Sequence, residues 1–138
     1  MAGTLPMLPR TVRAQDEAPD ARSVDYMTPE TQRAIDRGLQ LMGEKGLPLI
    51  GSGDWNDGMD KVGQHGKGES VWLAFFLYEV LMRFSEVAAK RNDNVFSAKC
   101  IKEAEKLRAN VDEHAWDGEW YCRAFFDDGT PLGSSRND

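Results

Sequence analysis

The sequence predicts a mainly helical fold that carries one β-hairpin near its C-terminus. Three observations predict it: a capped helical segment, "TPETQRAIDRGLQLMGEKG"; two longer helical segments, "GESVWLAFFLYEVLMRFSEVAAKRN" and "NVFSAKCIKEAEKLRANVDEHAW"; and an aromatic segment that turns at Asp-Gly, "EWYCRAFFDDGTPLG". With 138 residues, 41% hydrophobic and 29% charged, the composition is that of one ordinary globular domain.

The N-terminal part of the chain differs from the rest. Residues 1–27 hold three of the six prolines and show no apolar period, so we interpret them as an irregular N-terminal arm. The domain segment then spans residues 28–138. Its first helix is predicted to begin at Thr28, a capping residue type, with Pro29 at the first helical position. Apolar residues recur there at helical spacing: Ile35, Leu39 and Met42. Gly46 is predicted to end this helix.

The second predicted helix begins after Ser70 or Gly68, with Glu69 near the positive end of the helix dipole. Residues 71–77 are apolar on every side, and a helix of that kind is typically buried on every side. Its aromatic side chains are therefore expected in a core: Trp72, Phe75 and Phe76.

The third predicted helix has a single apolar stripe, and lysines and glutamates fill the rest of its surface. The stripe consists of Phe96, Cys100, Ala104, Leu107 and Val111. The aromatic residues that follow are expected to pack in the hairpin: Trp116, Trp120 and Tyr121. A fully buried helix next to a one-faced helix indicates two layers. Because three helices cannot cover the second one, we expect the chain to be a piece of a larger unit or to form an oligomer.

Charge and composition exclude several classes of partner. A net charge of −6 argues against nucleic acid, which needs a basic protein face, and against an anionic membrane surface. The longest apolar run is far too short to cross a bilayer. The two cysteines and the two histidines are isolated, so neither a disulfide framework nor a metal site is predicted. A reducing, cytoplasmic location fits this cysteine usage.

The acidic loop, residues 51–68, has a composition that no helix or strand requires, beginning "GSGDWNDGMDKVG". An EF-hand register that starts at Asp54 places Gly58 at position 5 and His65 at position 12, so it fails. The segment "GQHGKGES" fails as a Walker A motif because glycine follows Lys67. No serine has a histidine at a spacing typical of nucleophilic catalysis. Loops of this length are usually functional or disordered.

Carbohydrate chemistry fits the composition of the acidic loop. Carboxylates and amides bind sugar hydroxyls, and indole rings stack on the C–H faces of sugars. Cleavage of a glycosidic bond needs a carboxylic acid whose pKa is raised by nearby carboxylates or by an apolar wall. Asp57 has Asp54 and Asp60 three residues away on either side and Trp55 close by. Aspartate and asparagine are also common in structural turns, so composition alone leaves the two interpretations balanced.

The amino-acid sequence of this region resembles that of a known family. "GLPLIGSGDWNDGMDKVGQHGKGESVWLAFFLYEVL" resembles the signature of glycoside hydrolase family 94, and "AWDGEWYCRAFFDDGTPLGS" is similar to a second segment of that family. The family contains inverting cellobiose and chitobiose phosphorylases, β-1,2-oligoglucan phosphorylases, and the C-terminal domain of cyclic β-1,2-glucan synthases. The resemblance covers residues 33–134, and the β-1,2-glucan branch is the most similar.

The resemblance implies a fold and a set of functional residues. The family fold is an (α/α)6 barrel of twelve helices in two layers. Its general acid corresponds to Asp57, and its sugar-lining tryptophan to Trp55, with Asp54 and Asn56 as supporting residues. The implied reaction is the inverting phosphorolysis, or in reverse the synthesis, of a β-linked gluco-oligosaccharide. Phosphate cleaves the glycosidic bond, and α-glucose 1-phosphate is released. Phosphate is a co-substrate, and no cofactor or metal is implied.

The same resemblance implies that the chain holds only part of the catalytic barrel. The family's arginines that bind the donor sugar and its phosphate-binding residues lie outside the segments present here. We therefore expect the chain alone to be inactive, within a parent that is cytoplasmic or membrane-anchored with this domain on the cytoplasmic side. Two alternatives stay open: a non-catalytic helical module that binds carbohydrate or protein, and a truncated, non-functional remnant.

Overall fold

The computed structural model describes residues 28–135, so the predicted arm at residues 1–27 lies outside the described residues. Within the described residues, three helices, one short 3₁₀ helix and three short strands follow one another. In order they are α1 (Pro29–Gly38), the 3₁₀ helix (Asp57–Met59), β1 (Glu69–Ser70), α2 (Val71–Lys90), α3 (Asn94–His114), β2 (Ala124–Phe125) and β3 (Pro131–Leu132). The predicted helical fold with one hairpin is confirmed at this level.

The first helix begins as predicted but ends earlier. The Thr28 hydroxyl accepts a hydrogen bond from the Thr31 amide, which caps α1. The helix ends at Gly38, so the predicted end at Gly46 is wrong. The chain instead turns back on itself, and Gly46 has a φ of +67°, in the left-handed region that favours glycine.

The turn at residues 43–47 is held by a carboxylate from a distant part of the chain. Glu69 is 2% exposed and accepts hydrogen bonds from the backbone amides of Lys45 and Leu47, both at 3.1 Å. The prediction that Glu69 serves the dipole of α2 is therefore corrected. Its side chain satisfies backbone donors that would otherwise be buried without partners.

The long helices α2 and α3 form an antiparallel pair, and their predicted positions are confirmed. Ser70 caps α2 by accepting a hydrogen bond from the Leu73 amide at 3.0 Å, and Asp93 caps α3 in the same way. The predicted stripe of α3 is buried along its length. Near the start of α2, Ala74 packs in one cluster with Leu107; at its middle, Leu81 packs in another.

The other face of α2 is open within this chain, as expected for a helix that three helices cannot cover. Trp72, Phe75 and Phe76 are 36%, 47% and 56% exposed, so among the described residues the helix is not buried on every side. The reason is the small number of neighbours, because α3 and the strand segment pack on one side of α2. Within residues 28–135 no helix has the length and apolar character required to cross a membrane.

The strands form a small antiparallel sheet in the order β1-β2-β3. The predicted hairpin is confirmed: Ala124 pairs with Leu132, and the turn contains Gly129 with a φ of +84°. Strand β1, which lies outside the hairpin, was not predicted. Its Ser70 pairs with Ala124 of β2. Since β1 directly precedes α2 and directly follows the acidic loop, the hairpin lies against the end of that loop.

Candidate active site

The acidic loop is folded against the sheet by a small apolar cluster. Met59 and Val62 are 7% and 4% exposed and pack with Ile50 and Ala124. Met59 is the last residue of the 3₁₀ helix, so its burial fixes one side of that single turn. The loop therefore has a defined shape, and its polar residues occupy defined positions relative to the hairpin.

Asp54 is the buried carboxylate of the loop. Its side chain is 0% exposed, and its Oδ1 lies 2.6 Å from Nη2 of Arg123. The Ser70 hydroxyl donates to its Oδ2 at 2.6 Å, and the Asn56 amide donates to its Oδ1 at 3.0 Å. Burial raises the pKa of Asp54, but the hydrogen bonds from Arg123, Ser70 and Asn56 outweigh burial and lower the pKa to about 2.

Asp57 is the exposed carboxylate of the loop. It is the first residue of the 3₁₀ helix, and the Asn56 side chain caps that helix by accepting a hydrogen bond from the Gly58 amide at 2.9 Å. Among residues 28–135, the Asp57 carboxylate has no hydrogen-bond or ion-pair partner. Asp60 is exposed as well. The loop thus presents a carboxylate to solvent on a turn that its neighbours hold.

Trp55 begins a row of stacked aromatic rings beside this turn. It is 80% exposed, and its ring centroid lies 6.2 Å from that of Trp72 at an interplanar angle of 26°. Trp72 stacks in turn on Phe76 at 5.7 Å and 6°. Such offset stacking fixes the orientation of an indole. Trp55 therefore offers an accessible ring that stacks on Trp72 and lies two positions before Asp57 in the loop.

The far end of the acidic loop is held by a second residue of the hairpin. Asp127 accepts hydrogen bonds from the backbone amides of His65, Lys67 and Gly68 at 2.8–2.9 Å. The hydrogen bond from the His65 amide is the largest cause of the lowered pKa of Asp127; burial opposes it by raising the pKa, and the Lys67 and Gly68 amides lower the pKa further. The hairpin thus holds both ends of the loop, through Arg123 and Asp127.

The family to which these segments are similar is identified by a match over most of the chain. The glycosyl hydrolase 94 superfamily, catalytic domain, matches residues 15–138. The chain belongs to the glycosyl hydrolase 94 superfamily. The match starts ahead of residues 33–134, the range over which the sequence motifs resemble the family.

Three relatives illustrate the range of this family. The cyclic β-(1,2)-glucan synthase NdvB of Rhizobium meliloti (strain 1021) is 45% identical over 76% of this chain and 4% of its own length. Solabiose phosphorylase of Paenibacillus borealis is 37% identical over 67% of this chain and 12% of its own length. The 3-O-β-D-glucopyranosyl-β-D-glucuronide phosphorylase of the same organism is 33% identical over 84% of this chain and 14% of its own length. The chain therefore spans a small part of the length of these relatives.

Within this family member, the structure brings together three of the four residues singled out from the sequence. Asp54 bonds the Asn56 amide, and Asn56 caps the turn that Asp57 begins. Trp55 points to the aromatic row on α2 instead, through its stacking on Trp72.

Sequence reasoning missed the two hairpin residues that hold the loop. The local sequence patterns give neither Arg123 nor Asp127 a role at the loop. One signal was available for Arg123, since it is the only lysine or arginine between Arg108 and Arg136 and lies in a motif of the family. An acidic loop is stabilised by a nearby cation, and the single basic residue of that segment is a natural candidate.

Proposed function

We propose that this chain is the general-acid segment of a catalytic domain that performs inverting phosphorolysis of β-glucosides. Asp57 is the proton donor. The observation that carries the proposal is the position of Asp57: an exposed carboxylate on a turn that Asn56 caps and that Asp54 anchors, two residues after the exposed indole of Trp55. Membership of the glycosyl hydrolase 94 superfamily agrees with this assignment.

The reaction needs one acid from the protein. The Asp57 carboxyl group gives its proton to the glycosidic oxygen as the bond from that oxygen to the anomeric carbon breaks. An oxygen of inorganic phosphate forms the new bond to the anomeric carbon from the opposite face. The products are α-glucose 1-phosphate and a sugar shortened by one unit. Since phosphate is already anionic, no second carboxylate is needed to activate water, and no cofactor or metal enters the scheme.

The substrate class follows from the relatives and from the aromatic surface. By their names, one of the relatives makes a cyclic β-(1,2)-glucan, one acts on a 3-O-β-D-glucopyranosyl-β-D-glucuronide and one acts on solabiose. We favour a β-1,2-linked gluco-oligosaccharide as the substrate. Of the three relatives named, NdvB has the highest identity to this chain, at 45%. Trp55 provides the ring on which the sugar next to the cleaved bond stacks.

The site also requires polypeptide beyond the described residues. The α2 face with Trp72, Phe75 and Phe76 is exposed here, and we propose that other helices of an (α/α)6 barrel cover it. The residues that bind phosphate and the donor glucose would belong to those helices. On this proposal the chain is inactive when isolated, and the activity belongs to the full-length polypeptide that contains it.

The test compares two aspartates of the same loop in that full-length polypeptide. Asp57→Asn should lower phosphate-dependent release of glucose 1-phosphate from β-1,2-gluco-oligosaccharides by about 10²–10⁴-fold, the usual contribution of a general acid. Asp60→Asn, three residues away and also exposed, should change it by less than about twofold. Full activity of Asp57→Asn, or equal losses in both variants, would overturn the assignment.

A second candidate function is carbohydrate binding without chemistry, and the 80% exposure of Trp55 favours it. This function predicts that β-linked glucose oligomers change the tryptophan fluorescence and that Trp55→Ala abolishes the change. It also predicts no phosphate-dependent product from the full-length polypeptide. Release of glucose 1-phosphate would reject it.

A further inference from the structure

We propose that Arg123 is a positioning residue for the general acid: it holds the turn that carries Asp57 through its ion pair with the buried carboxylate of Asp54. The inference rests on the proposed role of Asp57 and adds a residue of the hairpin to the site. Arg123 lies 69 positions from Asp54 in the sequence, yet the two side chains are 2.6 Å apart. It therefore connects the C-terminal hairpin to the acidic loop.

The ion pair is built so that the loop depends on it. The Asp54 side chain is 0% exposed and that of Arg123 is 29% exposed. A second nitrogen of the guanidinium, Nη1, donates to the Ser70 hydroxyl at 3.4 Å, and that hydroxyl in turn donates to Asp54. Without Arg123, a buried carboxylate would lack its cation, which is strongly unfavourable, so the loop would have to move toward solvent. A lysine has no fork with which to reach both partners.

A continuous set of hydrogen bonds leads from Arg123 to the acid. Arg123 donates to Asp54, and Asp54 accepts from the Asn56 amide at 3.0 Å. The Asn56 side chain then accepts from the Gly58 amide at 2.9 Å and so caps the turn that Asp57 begins. Asp57 therefore lies between the Asn56 and Gly58 amides, both of which are held by these hydrogen bonds. A displacement of about 1 Å at a reacting group can cost on the order of 10²-fold in rate.

A surface ion pair of the same length provides the matched comparison. Arg83 and Glu79 on α2 are also 2.6 Å apart, but their side chains are 77% and 56% exposed. Exposed pairs of this kind contribute little, because water and salt screen them. The two ion pairs have the same length but differ in burial. Comparing variants of Arg123 and Arg83 therefore separates the effect of positioning the loop from the effect of losing an arginine charge.

The experiment uses the full-length polypeptide and two substrates that differ in their need for an acid. Arg123→Met should lower kcat for a β-1,2-gluco-oligosaccharide by about 100-fold, with a smaller change in KM. For an aryl β-glucoside whose leaving phenol is strongly acidic, the loss should be less than about fivefold, because that group departs without a proton from the protein. Arg83→Met should leave both rates unchanged. Equal losses on both substrates, or no loss on either, would overturn the inference.

A second measurement does not depend on catalysis. Hydrogen–deuterium exchange of the backbone over residues 51–63 should become at least about tenfold faster in Arg123→Met, while residues 94–114 keep the rate of the parent. Unchanged exchange at residues 51–63 would overturn the inference even if the polypeptide proved to have no phosphorolytic activity. If Arg123→Met does not fold, Arg123→Lys replaces it, with a kcat loss of about three- to tenfold expected.

The two proposals fail in different ways. An active Asp57→Asn variant rejects Asp57 as the acid and leaves the exchange result to decide whether Arg123 holds the loop. An inactive Asp57→Asn variant together with a fully active Arg123→Met variant rejects only the role of Arg123.

Discussion

The acidic loop and the α2–α3 helix pair are held in place by different forces. The helices meet through apolar side chains, and Ala74, Leu81 and Leu107 are each at most 3% exposed. The loop has a small apolar anchor, but its ends are fixed by polar contacts: Arg123 on the Asp54 carboxylate and three backbone amides on Asp127. The difference separates a scaffold whose stability comes from burial from a site whose shape comes from charge and hydrogen bonding.

The largest expected effect tests the scaffold. Leu81 is 0% exposed between α2 and α3, so Leu81→Ala should lower the free energy of unfolding by about 3 kcal/mol through lost burial and a cavity. Urea denaturation measures it. Ile101→Ala, at a 43% exposed position of α3, is the control and should cost less than about 1 kcal/mol. Equal costs would mean that the helix pair is not the apolar scaffold described here.

An intermediate effect is expected where the loop approaches its own backbone. A Cβ atom on Gly68 would lie 2.5 Å from the Val62 carbonyl oxygen and 2.7 Å from the Gly63 Cα, both parts of a rigid backbone. Gly68→Ala should therefore destabilise the protein by about 2 kcal/mol, measured by urea denaturation. Gly38→Ala is the control, since no atom lies within 4 Å of its added Cβ, and it should be neutral. A neutral Gly68→Ala would show that the loop accommodates the added carbon.

The smallest effect tests the electrostatic part of the comparison. The pKa of Asp54 is about 2 in the folded protein against an ordinary 3.8. A lowered folded pKa gives stability that is present above the unfolded value and is lost as the pH falls through the folded value. The parent should therefore be more stable than Asp54→Asn at pH 5, as measured by the free energy of unfolding. This advantage should shrink by about 1–2 kcal/mol when the pH is lowered to about 2.

Urea denaturation at both pH values gives this difference. Asp36→Asn, which removes the partly exposed pair of Asp36 with Lys99, is the control for the loss of an aspartate charge. A difference between parent and Asp54→Asn that stays constant from pH 5 to about pH 2 would show that the Arg123 pair does not stabilise the carboxylate.

The sequence predicted the parts of the fold that local patterns determine. The stripe of α3, the Ser70 cap and the Asp-Gly turn follow from spacings of a few residues, and all are present. The early end of α1 was missed because a distant carboxylate, Glu69, fixes the chain turn at residues 43–47. The exposed face of α2 agrees with the expectation that three helices cannot cover this helix, but a pattern of apolar residues does not show what would cover it.

The same distinction applies to the candidate site. Asp54, Trp55, Asn56 and Asp57 could be singled out because they are adjacent in one motif. Arg123 and Asp127 could not be given their roles, because their contacts with the loop join residues 59 to 69 positions apart. Whether Asp57 acts as the acid stays a prediction that the Asp57→Asn comparison tests.

The hairpin contacts both ends of the acidic loop, and this has a consequence for the order in which parts of the chain fold during synthesis. Residues 51–68 leave the ribosome well before Arg123 and Asp127, and contacts of such separation form only after the intervening chain has been ordered. The helix pair can assemble while the hairpin is still being made, because its contacts involve α2 and α3 alone. We therefore expect the turn that carries Asp57 to be among the last parts to take its final shape, because a nascent chain that stops before Arg123 lacks the ion pair with Asp54.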